Sequence, residues 1–242
     1  MRYVKFGDFA YYRTFRMRSN AIIYFHPSHP SRFLARKIPR IVRMLAGKVD
    51  ATVYSIDWSG RLFDTRHVDT VVSLTRALKS RHKNVYVVGY SYGGSVALLS
   101  SSKEKVVSVA IAPIMDLKRF LFYSSFILGI YGVSKSILGV RVPRYIDHNV
   151  RKWAKFIESA VLLLPRPISK LKAMSPIFHS PISNVLVVHP ARDFAFEYER
   201  RSYTEKYKNA ELLISNSDHE SVIKDRDIID PICKFLRKSK SK

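Results

Sequence analysis

Short apolar runs separated by longer stretches of helical periodicity extend along most of the chain. The runs are rich in β-branched residues and carry almost no charge, which is typical of strands buried on both faces of a sheet. They are found at residues 21–25, 51–56, 85–88, 106–111, 185–188 and 210–214. Ahead of the first run, residues 3–15 alternate loosely between apolar and polar positions and predict an opening antiparallel hairpin.

Apolar residues at helical spacing follow several of these runs. The helices that this spacing predicts cover residues 33–45, 68–78, 95–102 and 228–236. Strands that alternate with helices form βαβ units, and their right-handed crossovers place helices on both faces of the sheet. We therefore predict an α/β fold with a mostly parallel central sheet. In such sheets the reactive groups collect at the carboxyl ends of the strands.

The alternation is interrupted between about residues 116 and 180. This segment contains the longest uncharged stretch of the chain, residues 120–134, which is shorter than the roughly 20 residues that a membrane span needs. A segment of this length between two strands predicts a helical cap inserted into a single domain of residues 1–242. The alternative is a set of ordinary helices packed on the sheet.

The composition favours one buried domain in a reducing compartment. The chain has 242 residues, of which 47% are hydrophobic, enough for a single large core. Its one cysteine, Cys233, rules out an intramolecular disulfide and is expected to be a small buried apolar residue. Charges interrupt every apolar run near the N-terminus, so no signal-peptide core is found. We predict a soluble, cytoplasmic protein.

The chain is strongly basic, with 42 Lys and Arg against 19 Asp and Glu and a net charge of +23. Such a balance favours contact with nucleic acid or with an anionic membrane. The basic residues are spread along the chain, however, and no recognition-helix, zinc-finger or RNA-binding signature accompanies them. We therefore expect no specific nucleic-acid partner. A solvated basic surface and a weak attraction to anionic membrane surfaces are the two interpretations that remain.

A glycine-rich turn links the third apolar run to the helix that follows it. Residues 89–94 are Gly-Tyr-Ser-Tyr-Gly-Gly and fit the pattern G-x-S-x-G. In this elbow a sharp strand-to-helix turn exposes the serine hydroxyl, and the glycines avoid collisions with adjacent strands. The serine also lies at a helix N-terminus, where developing negative charge is favoured. Ser91 is therefore the candidate nucleophile.

A serine hydroxyl needs a general base to become a nucleophile. Enzymes with this elbow carry serine, acid and histidine in that order along the chain. Of the histidines after Ser91, only His219 follows the last apolar run and precedes the final helix. Asp193 follows the run at 185–188, where its carboxylate would orient His219. Asp116 is the alternative acid, and the side chain of Asp218 should point away from the imidazole.

Acyl transfer also needs backbone donors for the oxyanion of the tetrahedral intermediate. The N–H of Tyr92, directly after the nucleophile, is one candidate. The second should come from the loop after the run at 21–25. Since Pro27 has no N–H, we assign this role to Ser28, and His26 either holds the loop or is only structural. No cofactor or metal is expected, because His, Cys and Asp show no metal-ligand spacing.

With these motifs in place, the sequence resembles the α/β-hydrolase family over most of its length. Proline replaces the usual glycine in the oxyanion loop and in the acid loop, at Pro27 and Pro190. The segments that carry the resemblance are residues 24–27, 56–60, 89–93, 174–177, 185–193 and 217–219.

The resemblance implies a serine hydrolase, similar to carboxylesterases and lipases, that cleaves a small ester or thioester substrate. A serine at the nucleophile position argues against dehalogenase and epoxide hydrolase chemistry, which resembling enzymes perform with an aspartate. A peptidase or amidase with the same triad and a non-catalytic binding protein of the same fold are the alternatives. The apolar residues at 120–122 and 126–128 would either contact an apolar acyl group or belong to the core.

Overall fold

The structure is a computed structural model, and it describes residues 1–6, 9–14, 16–27, 36–58, 64–122, 169–193 and 210–239. Its strands form one sheet of eight strands in the order β1-β2-β4-β3-β5-β6-β7-β8. The strands are β1 (Arg2–Phe6), β2 (Phe9–Arg13), β3 (Asn20–Phe25), β4 (Ala51–Asp57), β5 (Asn84–Tyr90), β6 (Val107–Ile111), β7 (Val185–Pro190) and β8 (Ala210–Ser215).

The sheet is parallel except at one edge. The predicted hairpin is confirmed, since β1 pairs antiparallel with β2, and β2 pairs antiparallel with β4. All pairs from β4 through β3, β5, β6 and β7 to β8 are parallel. Strands β3 and β5 therefore lie in the middle of the sheet, and their carboxyl ends meet where Phe25 pairs with Gly89.

Helices cover both faces of the sheet, as predicted. The main ones are α1 (Arg40–Lys48), α2 (Thr65–Lys79), α3 (Tyr92–Lys103) and α5 (Ile229–Lys238), with a short α4 at Ser169–Ala173. Helices α1 and α5 bury apolar side chains such as Leu45 and Leu236 in one core cluster. Helices α2 and α3 bury Val71 and Val96 in another, on the other side of the strands. Cys233 is a buried free thiol, as expected.

Two helices begin at other residues than the periodicity predicted. Helix α1 begins at Arg40 rather than at residue 33, because Pro39 precedes it with an extended ψ of 150°. Residues 28–35, which include part of the predicted helix, lie outside the described part of the chain. Helix α3 begins at Tyr92, three residues before the predicted start, because the glycines that weaken the apolar signal belong to its first turn.

Most of the predicted cap, residues 123–168 of 116–180, lies outside the described residues. At its start, residues 117–122 are helical, and the Asp116 carboxylate accepts a hydrogen bond from the Arg119 N–H. Phe120 and Leu121 are buried in the core, whereas 68% of Phe122 is exposed. The core interpretation is therefore right for the first two aromatic and aliphatic residues of the apolar stretch.

No helix in the described ranges is long and apolar enough to cross a membrane. The cytoplasmic location stays a prediction.

Candidate active site

The turn between β5 and α3 holds Ser91 in a strained conformation. Strand β5 ends at Tyr90 and helix α3 begins at Tyr92, so a single residue makes the reversal. Ser91 has a φ of 54°, in the left-handed region that side chains other than glycine rarely adopt. Its N–H donates a hydrogen bond of 2.8 Å to the Ile111 carbonyl, which ties the turn to the end of β6.

Two glycines make this turn sterically possible. A Cβ atom on Gly89 would lie 1.9 Å from the Gly93 carbonyl oxygen. A Cβ atom on Gly93 would lie 2.1 Å from the Phe25 carbonyl oxygen of the neighbouring strand β3. The backbone of the elbow is therefore packed directly against itself and against β3, with no room for any side chain at these positions.

The structure brings together the three residues assigned to the triad. The Nδ1–H of His219 donates to Oδ2 of Asp193 over 2.7 Å, and the Ser91 hydroxyl donates to Nε2 of His219 over 3.1 Å. The Asp193 side chain is only 2% exposed and that of His219 12%. The buried carboxylate thus fixes the tautomer in which Nε2 faces the serine, the arrangement that a general base requires.

Asp193 and His219 reach this point from loops after two adjacent strands, β7 and β8. The loops are joined through their backbones, since the N–H groups of Ala191 and Arg192 donate to the carbonyls of Ser215 and Ser217. The acid and the histidine are therefore held at the same edge of the sheet as the elbow.

Asp218, beside the histidine, is directed elsewhere, as expected. Its carboxylate accepts hydrogen bonds from the N–H and hydroxyl of Ser221 and from the N–H of Glu220. These bonds, with those from Ser221 the strongest, lower the pKa of the Asp218 carboxyl despite partial burial. Asp218 closes the turn that carries the histidine.

Comparison with protein-family models gives a match over residues 23–227, which covers the elbow and all three triad positions, to the model described as the alpha/beta hydrolase family. The chain belongs to this family. None of the curated protein sequences matches it significantly.

Solved structures of esterases share the fold of this alpha/beta hydrolase at low sequence identity. An esterase from Pyrococcus furiosus is 17% identical with a TM-score of 0.65, over 96% of this chain and 87% of that one. A homologue of hormone-sensitive lipase from a metagenome library is 18% identical with a TM-score of 0.66, over 99% and 86%. A hyperthermophilic esterase from the archaeon Pyrobaculum calidifontis is 18% identical with a TM-score of 0.63, over 97% and 82%.

The two predicted oxyanion donors stand differently in this alpha/beta hydrolase. Tyr92 is the first residue of α3, where N–H groups point out of the helix end rather than into its ladder. Ser28 lies outside the described residues, and its role stays a prediction. His26 is buried, and its Nδ1–H donates to the Pro27 carbonyl over 3.1 Å, which fits the role of holding this loop.

Asp116, the alternative acid, caps a helix. Its carboxylate accepts from the Arg119 N–H over 3.1 Å and lies 3.6 Å from Nε of the same arginine. The structure places Asp193, and not Asp116, in the 2.7 Å contact with the imidazole.

Sequence reasoning missed the residues that surround the triad. The Tyr92 ring lies in a buried aromatic cluster, and its hydroxyl is 2.7 Å from Nδ1 of His67 in α2. The Tyr90 hydroxyl donates to the His219 carbonyl over 2.6 Å. No sequence signal could have found either pair, because the partners are far apart along the chain and tyrosine and histidine are ordinary residues at these positions.

A second missed group supports the histidine loop from below. The hydroxyls of Ser215 and Ser217 are in contact with each other, and both donate to the Asp225 carboxylate. Burial raises the pKa of the Asp225 carboxyl, but the hydrogen bonds, that from Ser215 first, bring it below its ordinary value. The loop is thus closed at both ends by side chains.

Among the described residues, no three His, Cys, Asp or Glu side chains are grouped so that they could hold a metal ion. That catalysis needs no metal or cofactor stays a prediction.

Proposed function

We propose that this protein is a serine hydrolase that cleaves carboxylic esters or thioesters through an acyl-enzyme. The observation that carries the proposal is the unbroken series of contacts from Asp193 through His219 to Ser91, on an elbow strained to a positive φ. A nucleophile in hydrogen-bond reach of a base that a third group orients is the arrangement used for acyl transfer.

In the proposed reaction, Ser91 Oγ attacks the ester carbonyl while Nε2 of His219 takes the hydroxyl proton. Asp193 stabilises the imidazolium that forms. The N–H groups of Tyr92 and Ser28 would receive the oxyanion. His219 then gives the proton to the leaving alcohol or thiol, and the acyl group stays on Ser91. A water molecule, deprotonated by His219, releases the acid and restores the serine.

Two alternatives differ from ester hydrolysis in what they require of the site. A non-catalytic binding protein has no need of an acid, a base and a nucleophile aligned at 2.7 and 3.1 Å. A peptidase or amidase would use the same triad. The esterase names of several proteins that share the fold favour the ester.

Covalent labelling by a fluorophosphonate tests the mechanism. We expect stoichiometric modification of Ser91 in the native protein and none in Ser91→Ala. Ser102→Ala is the matched control, because Ser102 lies in α3 with its hydroxyl bonded to the Leu99 carbonyl of the same helix. Labelling of a different serine, or no labelling of folded protein, would overturn the proposal.

The substrate class is tested with p-nitrophenyl esters of graded chain length and the matching p-nitroanilides. Ester hydrolysis should exceed anilide hydrolysis by orders of magnitude. A preference for the anilides would establish the peptidase or amidase alternative.

We propose further that the segment at 116–180 forms a cap over this site. Its support is that the segment leaves β6 beside the elbow, where the Ile111 carbonyl accepts from Ser91 N–H. Replacing residues 123–168 by a short linker should then abolish discrimination by chain length while short esters are still cleaved. Unchanged discrimination would contradict a cap.

We also propose a weak, salt-sensitive attraction to anionic membranes through the outer side of α1 and α5. These helices are in contact, as the Arg237 guanidinium donates to the Lys48 carbonyl, and Arg40, Arg43 and Lys234 are exposed beside it. Because exposed charges are screened over about 8 Å at physiological ionic strength, flotation with anionic vesicles should fade as salt rises. Neutral vesicles are the control, and equal flotation with both would contradict the proposal.

A further inference from the structure

The residue just before the nucleophile touches the loop that carries the histidine. The Tyr90 hydroxyl donates a hydrogen bond of 2.6 Å to the backbone carbonyl of His219. The two rings also contact each other, with centroids 5.6 Å apart and planes tilted by 36°. Tyr90 thus meets both the backbone and the side chain of the residue assigned as the base.

Resting on the proposed function, the inference concerns how the base is kept in register with the nucleophile. We propose that Tyr90 is a positioning residue that holds His219 at the distance and angle at which it deprotonates Ser91. It does so through the His219 backbone, and it does not itself touch the reacting atoms.

The need for such a residue follows from the shape of the loop. Between the end of β8 at Ser215 and the short 3₁₀ turn that begins at Val222, the chain has no regular secondary structure. The contact with Asp193 directs the imidazole but leaves the backbone of His219 to be fixed by other groups. The hydroxyl of Tyr90 supplies this fixation from the most rigid part of the molecule.

Tyr90 is well placed because it belongs to the same rigid unit as the nucleophile. It is the last residue of β5, its backbone is continuous with Ser91, and it is buried in the core. Base and nucleophile therefore move as one body. A displacement of about 1 Å between reacting groups can cost roughly 100-fold in rate.

The tyrosine keeps its proton over the working range of the enzyme. Burial, together with the carboxylates of Glu220, Asp193 and Asp218, raises the pKa of the Tyr90 phenol far above its ordinary value. The hydroxyl is thus a donor wherever the histidine is able to act as a base.

The test is Tyr90→Phe, which removes the hydroxyl and keeps the ring, with Tyr86→Phe as the matched control. Tyr86 lies four residues earlier on the same face of β5 and in the same core cluster. The rate constant for fluorophosphonate labelling at saturation and the half-saturating concentration are measured per titrated active site. Tyr90→Phe should lower the first about 10- to 100-fold and leave the second unchanged. Tyr86→Phe should change neither.

The outcomes separate positioning from a general loss of stability. Loss of stability alone would lower the titrated fraction of active sites in both variants and leave the rate per site unchanged. A native rate per site in folded Tyr90→Phe overturns the inference, and so does an equal loss in Tyr86→Phe. Failure of the native protein to label at Ser91 would instead overturn the proposed function.

If Tyr90→Phe does not fold, residue 90 is replaced by 3-fluorotyrosine and by 4-aminophenylalanine, which keep the shape of the side chain. Their donor strengths lie above and below that of tyrosine. The labelling rate should follow the order 3-fluorotyrosine, tyrosine, 4-aminophenylalanine. Equal rates in the three proteins would overturn the inference.

Discussion

Ser91 and His219 meet at 3.1 Å, but the two sides of the site are held by different kinds of contact. On the side of the elbow, backbone packs on backbone, with positions on Gly89 and Gly93 where a Cβ would fall about 2 Å from a carbonyl oxygen. On the side of the loop, side chains reach across to the backbone and to one another: Tyr90, Ser215, Ser217 and Asp225.

The difference teaches that rigidity of the nucleophile is a matter of steric exclusion, whereas rigidity of the base is a matter of hydrogen bonds. Steric exclusion fails abruptly, since any added atom collides with backbone that cannot move. Hydrogen bonds fail by degrees, because a lost bond is partly replaced by water. Substitutions on the elbow side should therefore have large effects and those that support the loop smaller ones.

The largest effect is expected on the elbow. In Gly93→Ala the new Cβ would lie 2.1 Å from the Phe25 carbonyl oxygen, in the centre of the sheet. We expect a loss of at least about 3 kcal/mol in the free energy of unfolding and no fluorophosphonate labelling. Urea denaturation and labelling check this. A stable, reactive Gly93→Ala would show that the elbow is looser than backbone packing implies.

Asp193→Asn should leave the fold intact and lower turnover by about 10⁴-fold, as the corresponding substitution does in trypsin-like proteases. The amide cannot hold the imidazole in the required tautomer. Ester hydrolysis and circular dichroism are the measurements. The control is Asp116→Asn, which removes a helix cap away from the imidazole and should keep nearly native turnover. The reverse pattern would assign the acid to Asp116.

Asp225→Asn should be milder, because it only weakens the bonds that close the histidine loop. We expect labelling a few-fold slower and a loss of about 1 kcal/mol in the free energy of unfolding at neutral pH. The folded pKa of Asp225 is lowered, so its stabilisation is present above the unfolded value of about 4 and is lost as pH falls through the folded pKa.

Urea denaturation of Asp225→Asn and the native protein across a pH series measures this difference. The gap in stability between them should be open at pH 7 and close in acid below about pH 4. A gap that widens in acid would mean that the carboxylate is destabilised in the folded protein.

The smallest effect is expected far from the site, in a glycine that nothing approaches. Gly47 in α1 has no atom within 4 Å of its would-be Cβ. Gly47→Ala should therefore raise the free energy of unfolding by about 0.5–1 kcal/mol, since alanine favours a helix, with labelling unchanged. A loss of stability here would show that steric room does not distinguish the glycines of this chain.

The same contrast explains what the sequence could and could not predict. The parallel strands were predictable because burial on both faces produces continuous apolar runs, and β3, β4 and β5 differ from prediction by one or two residues at their ends. The elbow was predictable because steric exclusion leaves glycines at fixed spacing around Ser91. The order of strands in the sheet could not be obtained from periodicity.

The loop side left no comparable pattern. Tyr90 and His219 are separated by 129 residues, and the tyrosine has no feature in the sequence that marks it as a hydrogen-bond donor to that loop. Ser215, Ser217 and Asp225 read as an ordinary polar loop. The start of α1 was missed because the apolar spacing continued through Pro39, which excludes a helix across it.

The separation of the triad along the chain has a consequence for its synthesis. His219 follows Ser91 by 128 residues, and ribosomes add roughly 5–20 residues per second. The strand and helix of the elbow therefore leave the ribosome several seconds or more before the base and its tyrosine-bound loop. Throughout that interval the serine has no partner to take its proton and is an ordinary alcohol. A nascent or prematurely released chain would carry the signature of the enzyme and none of its reactivity, and the completed fold alone turns the serine into a nucleophile.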